Sequence, residues 1–153
     1  MKNLSYEELK QKAEIARATA NVLELEAEEA KKKEVKKKGI EGWVGYIFES
    51  SSGLTEEFAS FARDIKKHLT EIMKKEGFSL VSFSRGHFYF SAFFEKNGKY
   101  IYVSSDDVRY SVNGWYNNLL VRTAKHDKDY TGGSNDWATL QGLPEKANKL
   151  INY

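Results

Sequence analysis

Apolar residues recur through the first 38 residues at alternating spacings of three and four, which predicts one long helix over 1–38. Ser5 and Glu8 fit a capping box at its start, and Gly39 ends it. The apolar seam has eight positions: Tyr6, Leu9, Ala13, Ala16, Ala20, Leu23, Ala27 and Ala30. This is the heptad pattern of paired helices. Because alanine buries little area, we expect partner contact in cis or in trans, or self-association, through the six positions from Leu9 to Ala27.

The pattern changes twice between this helix and the sheet that follows. Residues 39–54 are predicted to form a linker that carries a short strand, with its apolar content at residues 43–44 and 46–48. Thr55 is the candidate N-cap of a second helix, and Gly77 ends it. One face of this helix carries five apolar residues: Phe58, Phe61, Ile65, Leu69 and Ile72. Such a stripe predicts a helix that faces the core.

From Phe78 the apolar residues alternate with a period of two, which predicts β-strands. Asn97-Gly98 is the strongest hairpin signal, and Asn113-Gly114 predicts a second hairpin between strands at 110–112 and 115–122. Short helices are predicted at the C-terminal end, over 136–140 and 144–151. We therefore expect an α+β domain over 55–153, with a helix packed on a four- to five-stranded antiparallel sheet. Since both sheet faces carry aromatic residues, the face that the helix leaves open is a candidate surface for a partner.

Composition and charge narrow the function classes. The 153 residues include 24 basic and 22 acidic side chains, a net charge of +2. This balance creates no global field that would attract nucleic acid, so direct nucleic-acid binding is left open only for a local patch. Cysteine is absent, which excludes disulfides and thiolate metal sites. No apolar run has the length of a signal peptide or a membrane span, and we expect a soluble cytoplasmic protein with no membrane contact.

The chemically richest stretch is residues 115–135, where an apolar strand continues into charged, amide and glycine residues. Polar groups on a loop that a rigid strand holds are typical of binding sites. The candidate partner-binding residues are Arg109, Arg122, Lys125, His126, Lys128 and Asn135. The alternating charge of residues 125–129 is also typical of a loop that is merely solvated.

Four residues of this stretch offer a different chemistry, the binding of an anion. Thr131, Gly132, Gly133 and Ser134 would form a nest of backbone amides with the helix at 136–140 behind it. In that case the protein would sequester a nucleotide or a cyclic nucleotide. Alternatively the glycines only make a turn, and Asn135 caps the helix.

A metal-dependent nuclease is a further alternative. It would use His126, Asp127, Asp129 and the pair Asp106-Asp107, but their spacing is not that of a known ligand set or catalytic motif. We therefore expect a protein that is not an enzyme, with no catalytic residue, no metal and no cofactor.

Residues 122–135, RTAKHDKDYTGGSN, resemble a segment of small bacteriophage and mobile-element proteins of low-GC Gram-positive bacteria. No activity comes with this resemblance, but it implies a context in which small cysteine-free proteins bind and block a host enzyme. Anti-CRISPR inhibitors of RNA-guided nucleases are similar in size and style. The leading expectation is a non-enzymatic counter-defence inhibitor of a bacterial protein, in particular a CRISPR or other defence nuclease. A nucleotide-binding protein and a metal-dependent nuclease are the alternatives.

Overall fold

The computed structural model describes residues 4–111 and 113–152, without the side chains of residue 32 and residues 34–37. The elements in chain order are α1 (Tyr6–Lys38), α2 (Glu56–Lys74), β1 (Ser79–Arg85), β2 (Phe90–Lys96), β3 (Lys99–Ser104), β4 (Leu119–Ala124), β5 (Asp136–Ala138) and α3 (Leu143–Ile151). The predicted α+β class is confirmed. The chain divides into two compact units, Met1–Gly42 and Trp43–Tyr153. Predictions that concern residues 1–3, Val112 and residue 153 lie outside the described residues.

Helix α1 is the long N-terminal helix that the heptad pattern predicts. The Ser5 hydroxyl accepts a hydrogen bond from the Glu8 amide at 3.2 Å, which caps the first turn. Gly39, with a φ of 61°, ends the helix. Every side chain from Leu4 to Ala30 is exposed, so the whole apolar seam faces solvent.

The strand predicted between residues 43 and 48 does not form. A 3-10 turn ends at Trp43, and the chain is irregular from there to α2. The Trp43 indole donates to the Asp64 carboxylate of α2 at 2.8 Å, and the Tyr46 hydroxyl donates to the Glu57 carboxylate at 2.6 Å. These bonds and the buried Trp43 ring make the segment part of the second unit's core.

Helix α2 lies at the centre of that core, as its apolar stripe predicts. The four fully buried members of the stripe are Phe58, Phe61, Ile65 and Leu69. Ile72 is only partly buried, and Met73 occupies the last core position of the helix in its place. Gly77, with a φ of 87°, turns the chain into β1.

The five strands form one antiparallel sheet in the order β1-β2-β3-β4-β5, which confirms the predicted meander. Asn97 and Gly98 join β2 to β3, and both have positive φ angles of 53° and 78°. A two-residue type I′ hairpin requires this pair of angles, because its twist then matches that of the strands.

Two local predictions in the second half of the sheet are wrong. Asn113 and Gly114 do make a turn with positive φ angles, but a 3-10 turn over Trp115–Asn117 follows it instead of a strand. The second hairpin therefore does not form. The segment predicted as a helix at 136–140 contains β5, which pairs with β4 at Leu119–Val121. Pairing with a distant strand has overridden the local helix-capping signal of Asn135 and its neighbours.

Helices α2 and α3 pack on one face of the sheet. The other face, which we call the open face, includes from β2 to β5 the side chains of Phe93, Tyr102, Leu120, Arg122 and Trp137. They share a face because residues two apart on a strand, and residues paired across strands, point the same way. The candidate site is on this face.

Candidate partner-binding site

Residues 125–135, which we call the basic loop, leave the end of β4 and fold back over the open face. The ring of Tyr130 lies with its centroid 5.2 Å from that of Phe93 and 5.8 Å from that of Tyr102, in edge-to-face geometry. Edge-to-face aromatic contacts of this kind stabilise the pair beyond the area that they bury. The loop is therefore anchored on the sheet at its middle.

The Asp129 carboxylate fixes the backbone of the basic loop. One of its oxygens accepts the amides of Thr131 at 3.2 Å and Gly132 at 2.7 Å, and the other accepts the amide of Lys125 at 2.9 Å. These hydrogen bonds favour the charged form and hold the pKa of the Asp129 carboxyl below its ordinary value, with the Arg122 charge adding to the effect. The carboxylate is buried, and it ties the start of the loop to its glycine turn.

The residues predicted as an anion site contact an anion of the chain itself. Of the four residues predicted to bind an external anion (Thr131, Gly132, Gly133 and Ser134), the first two donate their amides to Asp129. A Cβ atom added at Gly132 would lie 2.1 Å from the Asp129 carboxylate, and one added at Gly133 would lie 2.3 Å from the Thr123 carbonyl oxygen. The two glycines therefore leave room for the Asp129 carboxylate and for the Thr123 carbonyl oxygen. A nucleotide would have to displace Asp129 to reach the amides of Thr131 and Gly132.

Arg122 is a structural residue, and the prediction that it lines the recognition surface is wrong. Only 3% of the residue is exposed. Its guanidinium donates to the Asp129 carbonyl oxygen at 2.8 Å and lies 4.4 Å from the centroid of the Tyr102 ring. A buried arginine that is hydrogen-bonded and stacked in this way holds the loop against the sheet.

The other predicted residues of the loop are on the surface. The side chains of Lys125, His126, Lys128 and Asn135 are exposed. The His126 ring nitrogen Nδ1 accepts the amide of Lys128 at 3.1 Å, which orders the turn between them. The structure thus places four of the six predicted partner-binding residues on one ordered loop.

Arg109 lies away from this group, so the six residues do not form one surface. It follows β3 beyond Ser104, whereas Lys125 follows β4 beyond Ala124, and the two strands are antiparallel. The two sites are at opposite ends of strands that pair over five residues, roughly 16 Å apart at the usual rise. Arg109 also makes a bidentate ion pair with Asp107, with nitrogen–oxygen distances of 2.7 and 3.0 Å. Its guanidinium lies 3.9 Å from the Phe88 ring centroid.

The residues that a metal-dependent nuclease would need do not come together. In residues 4–111 and 113–152, no three histidine or acidic side chains are grouped so that they could hold a metal ion. The Asp129 carboxylate is bonded to backbone amides, and Asp107 is paired with Arg109, which lowers the pKa of the Asp107 carboxyl through their side-chain hydrogen bonds.

Two aromatic residues of the site are not among the six predicted partner-binding residues. Tyr130 and Trp137 are both on the open face, and 56% and 50% of their surfaces are exposed. The Trp137 position pairs with Leu120 of β4, which places the indole on the same face as Arg122. Trp137 could have been placed on this face only if residues 136–138 had been predicted as a strand. Asn135 before them has the character of a helix cap, and it led to the prediction of a helix instead. Tyr130 lies in a charged run that gives no periodicity to interpret.

Comparison with protein-family models, curated proteins and solved structures finds no match to this chain. Along the described part of the chain, none of the helices combines the length and the apolar character needed to cross a membrane.

Proposed function

We propose that this protein is a non-enzymatic binding protein and that it recognises another protein through the open face. One observation carries the proposal: Tyr130 and Trp137 are half exposed on the same sheet face, in a backbone fixed by strand pairing and by Asp129. Tyrosine and tryptophan are the residues that most often dominate binding energy at protein interfaces. Because their backbone is already ordered, little conformational entropy is lost when a partner docks.

The charges around the two rings suit a protein surface better than a nucleic acid. Lys125 and Lys128 are exposed at the rim, while Asp127 lies between them in sequence. Arg122 is buried and does not reach the surface. Nucleic-acid binding depends on neutralising several phosphates with lysine and arginine, and two lysines with an adjacent aspartate supply little of that. A rim with two lysines instead fits a partner surface that carries a few carboxylates.

We propose further that the partner is a bacterial protein and that binding inhibits it, in particular a CRISPR or other defence nuclease. The resemblance of residues 122–135 to small phage and mobile-element proteins supports this context. A non-catalytic role also agrees with the basic loop, where the Asp129 carboxylate that a nuclease site would use is bonded to backbone amides.

The test begins with a tagged full-length chain captured from a nuclease-treated bacterial lysate that contains active defence systems. The dominant partner is then purified, its affinity is measured by calorimetry, and its nuclease activity is titrated with the chain. We expect the double variant Tyr130→Ala/Trp137→Ala to bind at least about 30-fold more weakly, which corresponds to about 2 kcal/mol. Inhibition should weaken in parallel with affinity.

Tyr110→Ala is the matched control, because that tyrosine is also exposed but follows β3 at the far end of the sheet. It should leave the affinity unchanged. Lys125→Ala/Lys128→Ala should slow association and reduce its salt dependence. If the double aromatic variant keeps its thermal stability and still binds with the parent affinity, the open face is not the recognition surface.

A further inference from the structure

Helix α1 exposes apolar residues on two opposite faces. One face is the seam that contains Leu9 and Leu23, which are 53% and 58% exposed. Ile15, Val22 and Leu25 lie on the other side of the helix and are exposed to a similar degree. At 100° per residue, the centres of these two faces are separated by roughly 160°. Because most of a helix's stability in a protein comes from packing its apolar face, this exposed apolar surface points to a helix partner.

The seam has a symmetry that allows a second copy of the chain to be that partner. Its eight positions run from Tyr6 to Ala30 and are arranged symmetrically about residue 18. We propose that two copies of this chain pair through the seam in an antiparallel orientation, centred on residue 18. The layers of the resulting helix pair would be Tyr6 with Ala30, Leu9 with Ala27, Ala13 with Leu23, and Ala16 with Ala20 of the second copy.

Side-chain volume favours this arrangement. In the antiparallel pair each of the three large seam residues meets an alanine of the second copy, so six of the eight layers combine a large residue with a small one and only the two central layers contain alanine alone. In a parallel pair, Tyr6, Leu9 and Leu23 would each meet themselves, while the layers between them would contain only alanine. Cores pack best when large and small residues face each other, because neither voids nor overlaps arise.

The charged residues beside the seam favour the same orientation. In the antiparallel pair Lys10 lies next to Glu24 of the second copy, and Lys12 lies next to Glu26. Each contact occurs twice by symmetry, and Arg17 meeting its own copy is the one like-charge contact between these residues. All these side chains are exposed in the single chain and so are accessible to a second copy. Charges at these flanking positions determine orientation and partner choice in paired helices.

A parallel pair would have the less favourable charge pattern. Lys12 would lie next to Arg17 of the second copy, and Lys33 next to Lys38, each twice. Glu26 with Lys31 would be the one attractive contact among these residues. Both side-chain volume and charge therefore favour an antiparallel second copy of the chain as the partner of the seam.

Disulfide trapping in the full-length chain tests the orientation, because the parent sequence has no cysteine. Ala16→Cys and Ala20→Cys chains are made separately, mixed under reducing conditions and then oxidised. The antiparallel pair predicts a covalent dimer in the mixture and essentially none from either variant alone, since residue 16 faces residue 20. A parallel pair would instead crosslink each variant with itself, because identical positions face each other and come within disulfide range. That result would overturn the proposal.

Analytical ultracentrifugation tests the seam itself. The parent chain should form a dimer, and Leu9→Gln/Leu23→Gln should weaken its dissociation constant at least about tenfold. The matched control is Ile15→Gln/Val22→Gln, which removes equally exposed apolar residues from the opposite face and should leave the constant within about threefold. A parent chain that is monomeric at about 100 μM, or a control variant that disrupts the dimer as strongly as the seam variant, would also overturn the proposal.

Discussion

At the scale of single residues, Asp129 decides what the basic loop can do. Its carboxylate occupies the amides that an external anion would need, and it orders the backbone between Lys125 and Gly132. From the sequence, Asp129 itself was a candidate metal ligand on chemical grounds alone. The difference comes from burial and from three backbone donors, neither of which a single sequence displays.

The lowered pKa of Asp129 leads to a pH-dependent prediction. The folded chain favours the carboxylate, so its stabilising contribution is present above the unfolded pKa of about 3.9 and is lost as pH falls through the lower folded pKa. Asp129→Asn should therefore lower the thermal unfolding midpoint at pH 7, and the gap to the parent should narrow as pH falls below the unfolded pKa of about 3.9. Asp127→Asn, in the same loop but outside the amide contacts, is the control and should shift the midpoint little. A constant gap between pH 7 and pH 3 would show that the carboxylate charge is not the stabilising feature.

Arg122 shows the limit of residue-level prediction. The sequence placed it next to the exposed lysines of the loop, and charge alone gives no reason to separate it from them. Its burial depends on the Tyr102 ring of a neighbouring strand and on a carbonyl seven residues away. Both partners come into position beside Arg122 only when β3 and β4 pair.

At the scale of elements, regular periodicity was predictable and short irregular segments were not. The stripe from Phe58 to Leu69 and the Asn97-Gly98 hairpin were correctly predicted, because each is determined by neighbours within one helix or one turn. Strand β5 has only three residues and exists through its bonds to Leu119–Val121. The 3-10 turn at Trp115 is likewise held by packing, since its indole contacts Phe61 of α2.

The contact between the basic loop and β4 gives a prediction at this scale. Gly133 and Gly98 both have φ angles near 75°, so alanine at either position incurs the left-handed backbone cost of about 1–2 kcal/mol. Around Gly98 there is open space, whereas a Cβ at Gly133 would lie 2.3 Å from the Thr123 carbonyl oxygen. Gly133→Ala should therefore cost about 1–3 kcal/mol more than Gly98→Ala in denaturant unfolding, because the loop must move off the strand. Equal costs would indicate that the loop is not packed on β4 in solution.

At the scale of the whole molecule, all buried apolar side chains of the described residues lie at or beyond Trp43. The sequence suggested a domain that begins at Thr55, with residues 39–54 as a linker that carries a short strand. They contribute through rings instead: Phe48 stacks on Trp43 and contacts Phe61 of α2 with edge-to-face geometry. An irregular segment can complete a core without periodicity, which is why its membership was not predictable.

The boundary at Trp43 predicts how truncated chains behave. A fragment over 43–153 should unfold cooperatively with a denaturant midpoint close to that of the full chain, because it retains every buried apolar residue of the described chain. A fragment over 55–153 lacks Trp43 and Phe48. Loss of a large buried aromatic costs about 3–5 kcal/mol, a large part of the 5–15 kcal/mol that stabilises an ordinary domain. Circular dichroism and urea titration should then show the shorter fragment largely unfolded or strongly destabilised. Equal stability of the two fragments would mean that the core is complete without residues 43–54, and that the aromatic contacts of this segment contribute little to folding.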